Sequence, residues 1–241
     1  MTDRHILVIV PTYNEGENLP RKVPLILDQD PRIDVLVVDD ASPDGTGALA
    51  AAMAAADPRI HVVHRLSKDG LGRAYLAGFA WGLDQGFDLL FEMDADISHP
   101  PEALPRLIEA AESHDVVIGS RYVGGRVNVL NWPLTRLLVS IFGSWYARTI
   151  TRMPVRDATG GFNGWHRRVL EGVDLSKVRS NGYAFQIELK FRAWAKGFSL
   201  VEVPILFTER DSGESKMSKR IVREAVWRVW WLKIQQLTGR L

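Results

Sequence analysis

Short apolar runs alternate with helix-forming segments along the first half of the chain. The runs cover residues 5–10, 34–40, 60–65, 88–94 and 115–120 and are rich in Val, Ile and Leu. Runs that are apolar at nearly every position are typical of strands buried on both faces of a sheet. Because each run is followed by a turn and a helix-like segment, the pattern predicts an α/β fold with a mostly parallel central sheet.

The second half of the chain is less regular. We predict a helix near 133–150, a glycine-rich turn at 158–164, a helix near 183–196, a strand at 200–207 and a last helix after a polar loop. No internal repeat or linker interrupts the chain, which indicates a single domain over residues 1–241.

Polar clusters follow three of the predicted strands. "PTYNE" follows the first strand, "DDASPDGTG" the second and "DADISHP" the fourth. Ligands of open parallel sheets bind beyond the carboxyl ends of the strands. The three loops therefore predict one shared binding mouth.

Length and composition limit the class of protein. The 241 residues are 46% hydrophobic and 24% charged, which is ordinary for a soluble globular chain with a full core. The absence of cysteine excludes a disulfide scaffold and any cysteine-based metal site or nucleophile, and it fits a reducing cytoplasm. The N-terminal apolar run is too short for a signal peptide, and the uncharged run Leu137–Ala147 is shorter than the roughly 20 residues of a membrane span.

Basic residues are concentrated at the C-terminal end. Residues 216–241 hold seven Lys and Arg against one Glu, a charge of +6, so the rest of the chain carries −5 of the net +1. Such a basic tail predicts contact with anions. A nucleic-acid partner is disfavoured because the basic charge lies on one amphipathic helix and no reading motif accompanies it.

Asp94 and Asp96 form a D-x-D pair at the end of the fourth predicted strand. On extended backbone their side chains point the same way. Two carboxylates in one mouth favour a hard divalent cation, Mg²⁺ or Mn²⁺. Acidic residues after strands also serve as helix caps or solvated turns, but two neighbouring acidic loops favour metal binding here.

Two common nucleotide motifs are absent. The chain contains no GxxxxGK[ST] loop, and its first strand leads into "PTYNEGEN" and not into GxGxxG. The remaining interpretation is a nucleotide site of another kind. In it the base stacks on Tyr13, Glu15 and Asp40 hydrogen-bond to the base or ribose, and a metal holds the diphosphate.

Five motifs in order, "VPTYNE", "VVDDASPDGTG", "MDADISHPPE", "GSRY" and "ERDSGESKMS", resemble those of the family-2 glycosyltransferases with a GT-A fold. Among them, the chain is most similar to the dolichol-phosphate and polyprenol-phosphate mannosyltransferases. The resemblance implies a Rossmann-like three-layer fold followed by C-terminal amphipathic helices. It implies a nucleotide-sugar and metal half at 5–120, an acceptor half with a closing loop at 121–218, and a membrane-contacting helix at 219–241.

The resemblance also implies roles for individual residues. Asp94 and Asp96 are implied metal ligands, and Ser98 aligns with a position that supplies a metal ligand in some relatives. Arg121, Arg210 and Lys216 would clamp phosphates, since guanidinium groups match phosphate bidentately. A surface salt bridge is the alternative for Arg210. The residues implied to bind the nucleotide sugar are Pro11, Tyr13, Glu15, Val38, Asp40, Asp94, Ala95, Asp96, Arg121, Arg210 and Lys216.

The implied reaction is transfer of mannose from GDP-mannose to a polyprenyl (dolichyl) phosphate with inversion. The acceptor's second pKa is about 6, so it is ionised at neutral pH and needs no general base. Asp94, Asp96 and Arg210 are the catalytic candidates. Asp157 is a further one, although it could instead orient the acceptor, hold Arg156 or cap a turn.

The sequence is compatible with other functions. The same chemistry could use UDP-glucose or another UDP-sugar as donor, or a sugar as acceptor. A non-catalytic scaffold that binds a nucleotide sugar is the alternative from a different class.

The last helix has two apolar sides. One stripe is expected to pack on the body, and Trp227, Trp231 and Ile234 fall on roughly the opposite side, flanked by arginines. Tryptophan beside arginine favours a bilayer interface. We therefore expect a peripheral protein on the cytoplasmic face of a membrane, with an integral-membrane protein as a further partner. A dimer contact or packing under a loop is the alternative.

Overall fold

The computed structural model describes residues 4–123, 127–130, 132–208 and 219–241, the side chains of 219–225 excepted. The strands of this part are β1 (Ile6–Thr12), β2 (Ile33–Asp39), β3 (Ile60–His64), β4 (Leu89–Glu92), β5 (Val116–Ser120), β6 (Val129–Leu130), β7 (Asn163–His166), β8 (Leu200–Pro204) and β9 (Phe207–Thr208). The α-helices are α1 (Leu19–Leu27), α2 (Thr46–Ala56), α3 (Leu71–Asp84), α4 (Leu104–Ala110), α5 (Leu134–Thr151), α6 (Arg167–Gly172), α7 (Gly182–Ala195) and α8 (Lys219–Leu237).

Seven strands form one sheet in the order β3-β2-β1-β4-β7-β5-β8. Every neighbouring pair is parallel except the two that involve β7, which runs antiparallel to β4 and β5. The mostly parallel sheet predicted from the apolar runs is confirmed. β6 and β9 pair separately as a short parallel ribbon beside it.

Apolar side chains alternate between the two faces of the sheet, as the period of a strand requires. Along β1, Leu7 and Ile9 join one core cluster, while Ile6, Val8 and Val10 join the other. Helices α3, α7 and α8 contribute to the first cluster, and α1, α2 and α4 to the second. The result is three layers with the sheet in the middle.

Two sequence expectations about strands are wrong. The fourth strand ends at Glu92, so Asp94 and Asp96 lie in a turn and not on extended backbone. The stretch 200–207 contains a strand only to Pro204, and Phe207 starts the separate ribbon.

Strand β7 lies where the sequence predicts only a glycine-rich turn. Gly164 sits opposite Phe91 of β4 and Val117 of β5. A Cβ at Gly164 would lie 2.4 Å from Phe91 Cε1 and 2.7 Å from Val117 Cγ2. The glycine is therefore what lets β7 enter the sheet, because any side chain would collide with both neighbours.

Helix α8 packs against both α5 and α7, so its buried side is wider than a single stripe. Of the stripe predicted to pack on the body, Val229 and Leu232 are buried, whereas Val226 is 41% exposed. Trp231 lies differently from the prediction, since it is half-buried and packs against the core. Its neighbour Trp230 takes the outer position with half of its surface exposed.

Candidate active site

Loops from the first two strands are tied together at the carboxyl edge of the sheet. Thr12 Oγ1 donates to Asp39 Oδ1 over 3.2 Å, and the backbone N–H of Asn14 donates to Ser42 Oγ over 3.1 Å. Asn14 and Ala41 have left-handed φ angles of 60° and 54°, which turn both loops sharply after their strands. The loops after β1 and β2 therefore form one connected surface, which we call the ledge, at the predicted binding edge of the sheet.

A cationic loop after β3 contacts residues of the first two loops. Lys68 Nζ lies 3.5 Å from the ring centroid of Tyr13, and Arg65 forms an ion pair with Asp40. Burial raises the pKa of the Asp40 carboxyl, and the charge of Arg65 opposes that rise. Sequence reasoning missed Lys68 and Arg65. The signal was available, because basic residues follow the third strand at the same sheet edge.

The other predicted nucleotide residues differ in what they present. Val38 and Ala95 are almost completely buried among core residues, so neither presents an exposed side chain to a ligand. Pro11 is half-buried and pairs with Val38 across β1 and β2. The Glu15 carboxylate accepts a hydrogen bond from Asn18 Nδ2 at 2.7 Å. None of these positions contradicts a nucleotide contact, which stays a prediction.

Asp94 and Asp96 occupy the turn after β4. Asp94 keeps 22% of its side chain exposed and accepts a hydrogen bond from Tyr75 Oη over 3.3 Å. Asp96 is 6% exposed, and its Oδ1 accepts from the backbone N–H of Ser98 at 2.9 Å and from the Ser98 hydroxyl. The Ser98 side chain thus supports Asp96 here, and its role as a metal ligand stays a prediction.

His99 fixes the other end of the same turn. Its Nδ1 accepts the backbone N–H of Asp94 at 3.0 Å, and its ring stacks on Phe162 with a centroid distance of 5.2 Å. Burial lowers the pKa of His99, with the charges of Asp94 and Asp96 opposing. Because Nδ1 accepts a hydrogen bond, the neutral ring carries its proton on Nε2. The protonated Nε2 therefore cannot bind a metal.

The carboxylates of this turn are a donor set suited to a hard divalent cation. In the described ranges no group of three or more His, Cys, Asp or Glu side chains is arranged to enclose a metal. Mg²⁺ is commonly held by one or two carboxylates and completes its shell with water and ligand phosphate oxygens. Asp94 and Asp96 fit that pattern, in which the ion depends on a bound phosphate ligand.

A buried lysine lies beneath the turn. Lys22 of α1 is 2% exposed, and its Nζ donates to the backbone oxygen of Asp96 at 2.7 Å and to that of His99. Burial lowers the pKa of Lys22 to about 8, and the charges of Asp96, Asp94 and Glu102 oppose this effect. Sequence reasoning missed this residue, because a lysine in a surface helix ordinarily indicates a solvated face.

Arg121 and Asp157 form a buried ion pair beyond the end of β5. Arg121 Nε and Nη2 donate to the two carboxylate oxygens at 2.7 and 2.6 Å, and the Arg121 backbone N–H adds a third bond at 3.0 Å. Burial alone would raise the pKa of Asp157, but the charge and hydrogen bonds of Arg121 hold it below its usual value. Asp157 therefore holds Arg121, and not Arg156 as one alternative proposed.

Aromatic rings surround the Arg121 guanidinium. Its Cζ lies 5.2 Å from the ring centroid of Tyr122, 5.4 Å from that of Trp132 and 5.6 Å from that of Phe207. A second arginine, Arg136 at the start of α5, stacks on one of these rings: its Cζ lies 4.3 Å from the ring centroid of Trp132. The aromatic rings thus enclose the Arg121–Asp157 pair on one side and stack with the second arginine, Arg136, on the other.

Arg210 and Lys216 lie outside the described residues, as does the segment 209–218 expected to close over the substrate. Their roles stay predictions.

Helices α5 and α8 expose a set of large apolar side chains, which we call the α5–α8 apolar face. The two helices touch, and Tyr146 Oη donates to the backbone oxygen of Val226 at 3.2 Å. Within the described residues, no helix combines the length and apolar character needed to cross a bilayer. Each of its members is at least half exposed. The face consists of Leu134, Leu138, Phe142 and Trp145 on α5 and Trp227, Trp230, Ile234 and Leu237 on α8.

Comparison with known proteins gives a family and close relatives. The family model described as Glycosyl transferase family 2 matches residues 7–173, more than half of the chain. The chain is 55% identical to a polyprenol monophosphomannose synthase of Mycolicibacterium smegmatis, over 92% of this chain and 84% of that protein. It is 52% identical to an undecaprenyl-phosphate mannosyltransferase of Micrococcus luteus, over 92% of this chain and 90% of that protein.

Solved structures share the fold at lower identity. A glucosyl-3-phosphoglycerate synthase from Mycobacterium tuberculosis, in complex with Mn²⁺, UDP and glucosyl-3-phosphoglycerate, aligns with a TM-score of 0.65 at 18% identity, covering 98% of this chain and 80% of that one. The mannosyltransferase PcManGT from Pyrobaculum calidifontis, in complex with GDP-Man and Mn²⁺, aligns with a TM-score of 0.57 at 17% identity, covering 98% and 74%. At these identities the likeness extends to the three-layer fold.

Proposed function

Because this chain belongs to glycosyl transferase family 2, we propose that it transfers mannose from GDP-mannose to a polyprenyl monophosphate. The two relatives with more than 50% identity carry names that describe mannose transfer to polyprenol or undecaprenyl phosphate. The product would be a polyprenyl phosphomannose with a β linkage, since in-line attack inverts the anomeric carbon. Such a product would serve as the mannose donor for lipid-linked glycans or protein mannosylation.

The observation that carries this proposal is the engagement of Asp157 by Arg121. A hydroxyl acceptor needs a base to remove its proton in the transition state. Asp157 accepts three hydrogen bonds from Arg121, and Glu202 accepts from the backbone N–H groups of Arg156 and Asp157 and from Ser120 Oγ. Carboxylates tied in this way favour an acceptor that is already ionised. A phosphate monoester meets that condition at neutral pH.

The donor would lie on the ledge built by the first three loops. Tyr13 and Lys68 would contact the base, and Asp40 and Glu15 the base or ribose. Arg121 was predicted to contact the phosphates, but its guanidinium is buried against Asp157. Asp94 and Asp96 would hold a divalent cation, Mg²⁺ or Mn²⁺, which when bound supplies positive charge to the departing diphosphate. The acceptor's phosphate oxygen then forms the new bond to the anomeric carbon as the bond to the GDP oxygen breaks, and no proton has to move.

The acceptor's apolar chain suggests a place for the α5–α8 apolar face. A peripheral protein must reach a lipid whose phosphate lies at the bilayer surface. The exposed side chains of Trp227, Trp230 and Leu138 would enter the bilayer interface. Arg136 and Arg148, the basic residues of helix α5, would lie near the lipid headgroups. We place this contact at the cytoplasmic leaflet. An integral-membrane partner protein at the same surface is part of the same proposal.

The test is transfer of labelled mannose from GDP-mannose to a short polyprenyl phosphate. We expect product with Mn²⁺ or Mg²⁺ and none with EDTA. Asp94→Asn and Asp96→Asn should each reduce transfer by about 100-fold or more, because removing one electrostatic contact in a dry site costs about 3–4 kcal/mol. Transfer that persists in EDTA would refute the metal site, and no transfer to any lipid phosphate would favour the non-catalytic scaffold.

A UDP-sugar donor is the second candidate, because proteins of this fold are known with UDP and with GDP-Man. The fold alone does not select the base. A thermal-shift series with GDP, UDP and their sugars in Mn²⁺ discriminates, since a ligand stabilises the folded state according to its affinity. A larger shift with UDP than with GDP would move the assignment to a UDP-sugar.

A further inference from the structure

Lys22 occupies a position on α1 where packing alone calls for an apolar side chain. Leu19, Lys22, Val23 and Ile26 follow the i, i+3, i+4, i+7 spacing of a core-facing stripe, and all four are buried. Lysine is almost never fully buried unless it is paired, because removing an ammonium from water is costly. The contacts of its Nζ must therefore account for this residue.

Those contacts all lead to one loop. Lys22 Nζ donates to the backbone oxygens of Asp96 and His99, which lie in the middle and at the end of the 94–99 turn that carries the acidic pair. The negative charges of Asp96, Asp94 and Glu102 favour its protonated form. The lysine thus spans the turn from beneath and places a positive charge under two negative ones.

His99 closes the same turn from within. Its Nδ1 accepts the Asp94 backbone N–H, and its ring is held between Phe162 and Phe207, whose centroids lie 5.2 and 5.5 Å away. The backbone before Asp94 is held by β4, so the turn is fixed at its start, middle and end. Lys22 is the tie that comes from another layer of the fold.

We propose that Lys22 is a positioning residue for the donor site: it holds the 94–99 turn so that the Asp94 and Asp96 carboxylates face the cation and diphosphate together. This inference rests on the proposed function. Without the ammonium, two buried carbonyl oxygens lose their donor and the two carboxylates lose their internal counter-charge. The turn then opens to take water, and the carboxylates no longer share one ion.

Lys22→Met is the test variant, because methionine keeps the length and apolar stem while removing the donors and the charge. Arg21→Met is the matched control on the same helix, since Arg21 is exposed and adjacent in sequence. Lys22→Gln is a second variant that retains two neutral N–H donors. It keeps the test valid if Lys22→Met does not fold.

The first measurement is hydrogen exchange of the peptide that covers residues 93–100, without ligand. We expect at least tenfold faster exchange in Lys22→Met than in the unmodified protein, a smaller increase in Lys22→Gln, and no change in Arg21→Met. Exchange in β1 and β2 should be unaffected. Unchanged exchange of the 93–100 peptide in both Lys22 variants would overturn the proposal.

The second measurement is the affinity for GDP by titration calorimetry, in Mn²⁺ and in EDTA. Lys22→Met should lose at least tenfold of the Mn²⁺-dependent gain in affinity, while affinity in EDTA stays within about twofold, because the first two loops are intact. A faster-exchanging turn with an undiminished Mn²⁺ gain would show that Lys22 serves the fold alone and would refute the positioning role. If the unmodified protein gains nothing from Mn²⁺, the proposed donor site itself is wrong, and the exchange result then decides whether Lys22 holds the turn.

Discussion

Asp157→Asn distinguishes a structural carboxylate from a catalytic one. In the folded protein Asp157 is fully buried and Arg121 is 5% exposed, so the pair is shielded from solvent. Asparagine keeps the shape but replaces one acceptor oxygen by a donor that faces the Arg121 guanidinium. Breaking a buried ion pair by removing one charge costs about 3–5 kcal/mol, because the other charge is left buried without compensation. We expect the free energy of unfolding to fall by that amount.

The pH dependence of this loss follows from the lowered pKa of Asp157. A carboxylate whose pKa is lower in the folded state stabilises the fold fully above its unfolded pKa, which for aspartate is about 4. That stabilisation is lost as the pH falls through the folded value. The difference between the unmodified protein and Asp157→Asn should therefore be constant from neutral pH down to about pH 5 and shrink in stronger acid.

Urea unfolding followed by circular dichroism and tryptophan fluorescence measures the difference. The matched variants are Arg121→Met and the double variant Arg121→Met/Asp157→Asn. Because both single changes break the same pair, the double variant should cost at least 2 kcal/mol less than the sum of the two, within the range of coupling seen for contacting residues, about 0.5–3 kcal/mol. A loss below about 1 kcal/mol, the value of an exposed pair, together with a large fall in kcat, would refute the reasoning and return Asp157 to the catalytic residues.

Two further predictions concern the fold and the surface. Gly164→Ala should destabilise by about 1–3 kcal/mol or more, because its Cβ would overlap Phe91 and the core cannot accommodate it; an unchanged urea midpoint would contradict the placement of β7. Trp227→Ser/Trp230→Ser should reduce co-sedimentation with anionic liposomes severalfold while GDP affinity is kept. Trp231→Ser should instead lower the melting temperature, and a loss of liposome binding in Trp231→Ser equal to that in the double variant would show that the outer face is wrongly assigned.

Much of the site was predictable because the chemistry follows strands that the sequence marks clearly. The runs at β1, β2 and β4 are apolar throughout, and the polar residues after them lie at one edge by the geometry of parallel strands. The D-x-D pair is correctly placed at that edge. The extended backbone predicted for the pair was wrong, because β4 ends at Glu92 although the sequence shows no break before Asp94.

Strand β7 could not be predicted from local pattern. Its four residues include Gly164 and follow two other glycines, a composition that indicates a turn. What makes it a strand is the space between β4 and β5, and that space exists only in the folded sheet. The same insertion buries Asn163, which donates to Glu92 Oε2 at 2.9 Å and to Gln186 Oε1 at 2.8 Å.

Lys22 and Arg121 show a second limit of sequence reasoning. Both are cations whose residue type predicts solvent or phosphate, and both are buried against partners far away in sequence: Lys22 against the 94–99 turn and Arg121 against Asp157. Burial of a charge depends on whether the fold supplies compensating groups, and that is a tertiary property. Periodicity could place Lys22 on the core side of α1, but it could not identify the carbonyl groups that receive it.

These buried charges predict how a divalent cation and a nucleotide affect each other's binding. Within the described residues, the Arg121–Asp157 pair is neutral, while Asp94 and Asp96 carry two negative charges against one positive charge on Lys22. A diphosphate approaching that turn meets net negative charge, and a lone divalent cation meets only two carboxylates already half compensated. Each ligand is attracted more strongly in the presence of the other, because the cation and the diphosphate neutralise one another at the turn. Binding of metal and nucleotide should therefore be mutually cooperative, and the reciprocity of linkage requires that GDP raise Mn²⁺ affinity by the same factor by which Mn²⁺ raises GDP affinity.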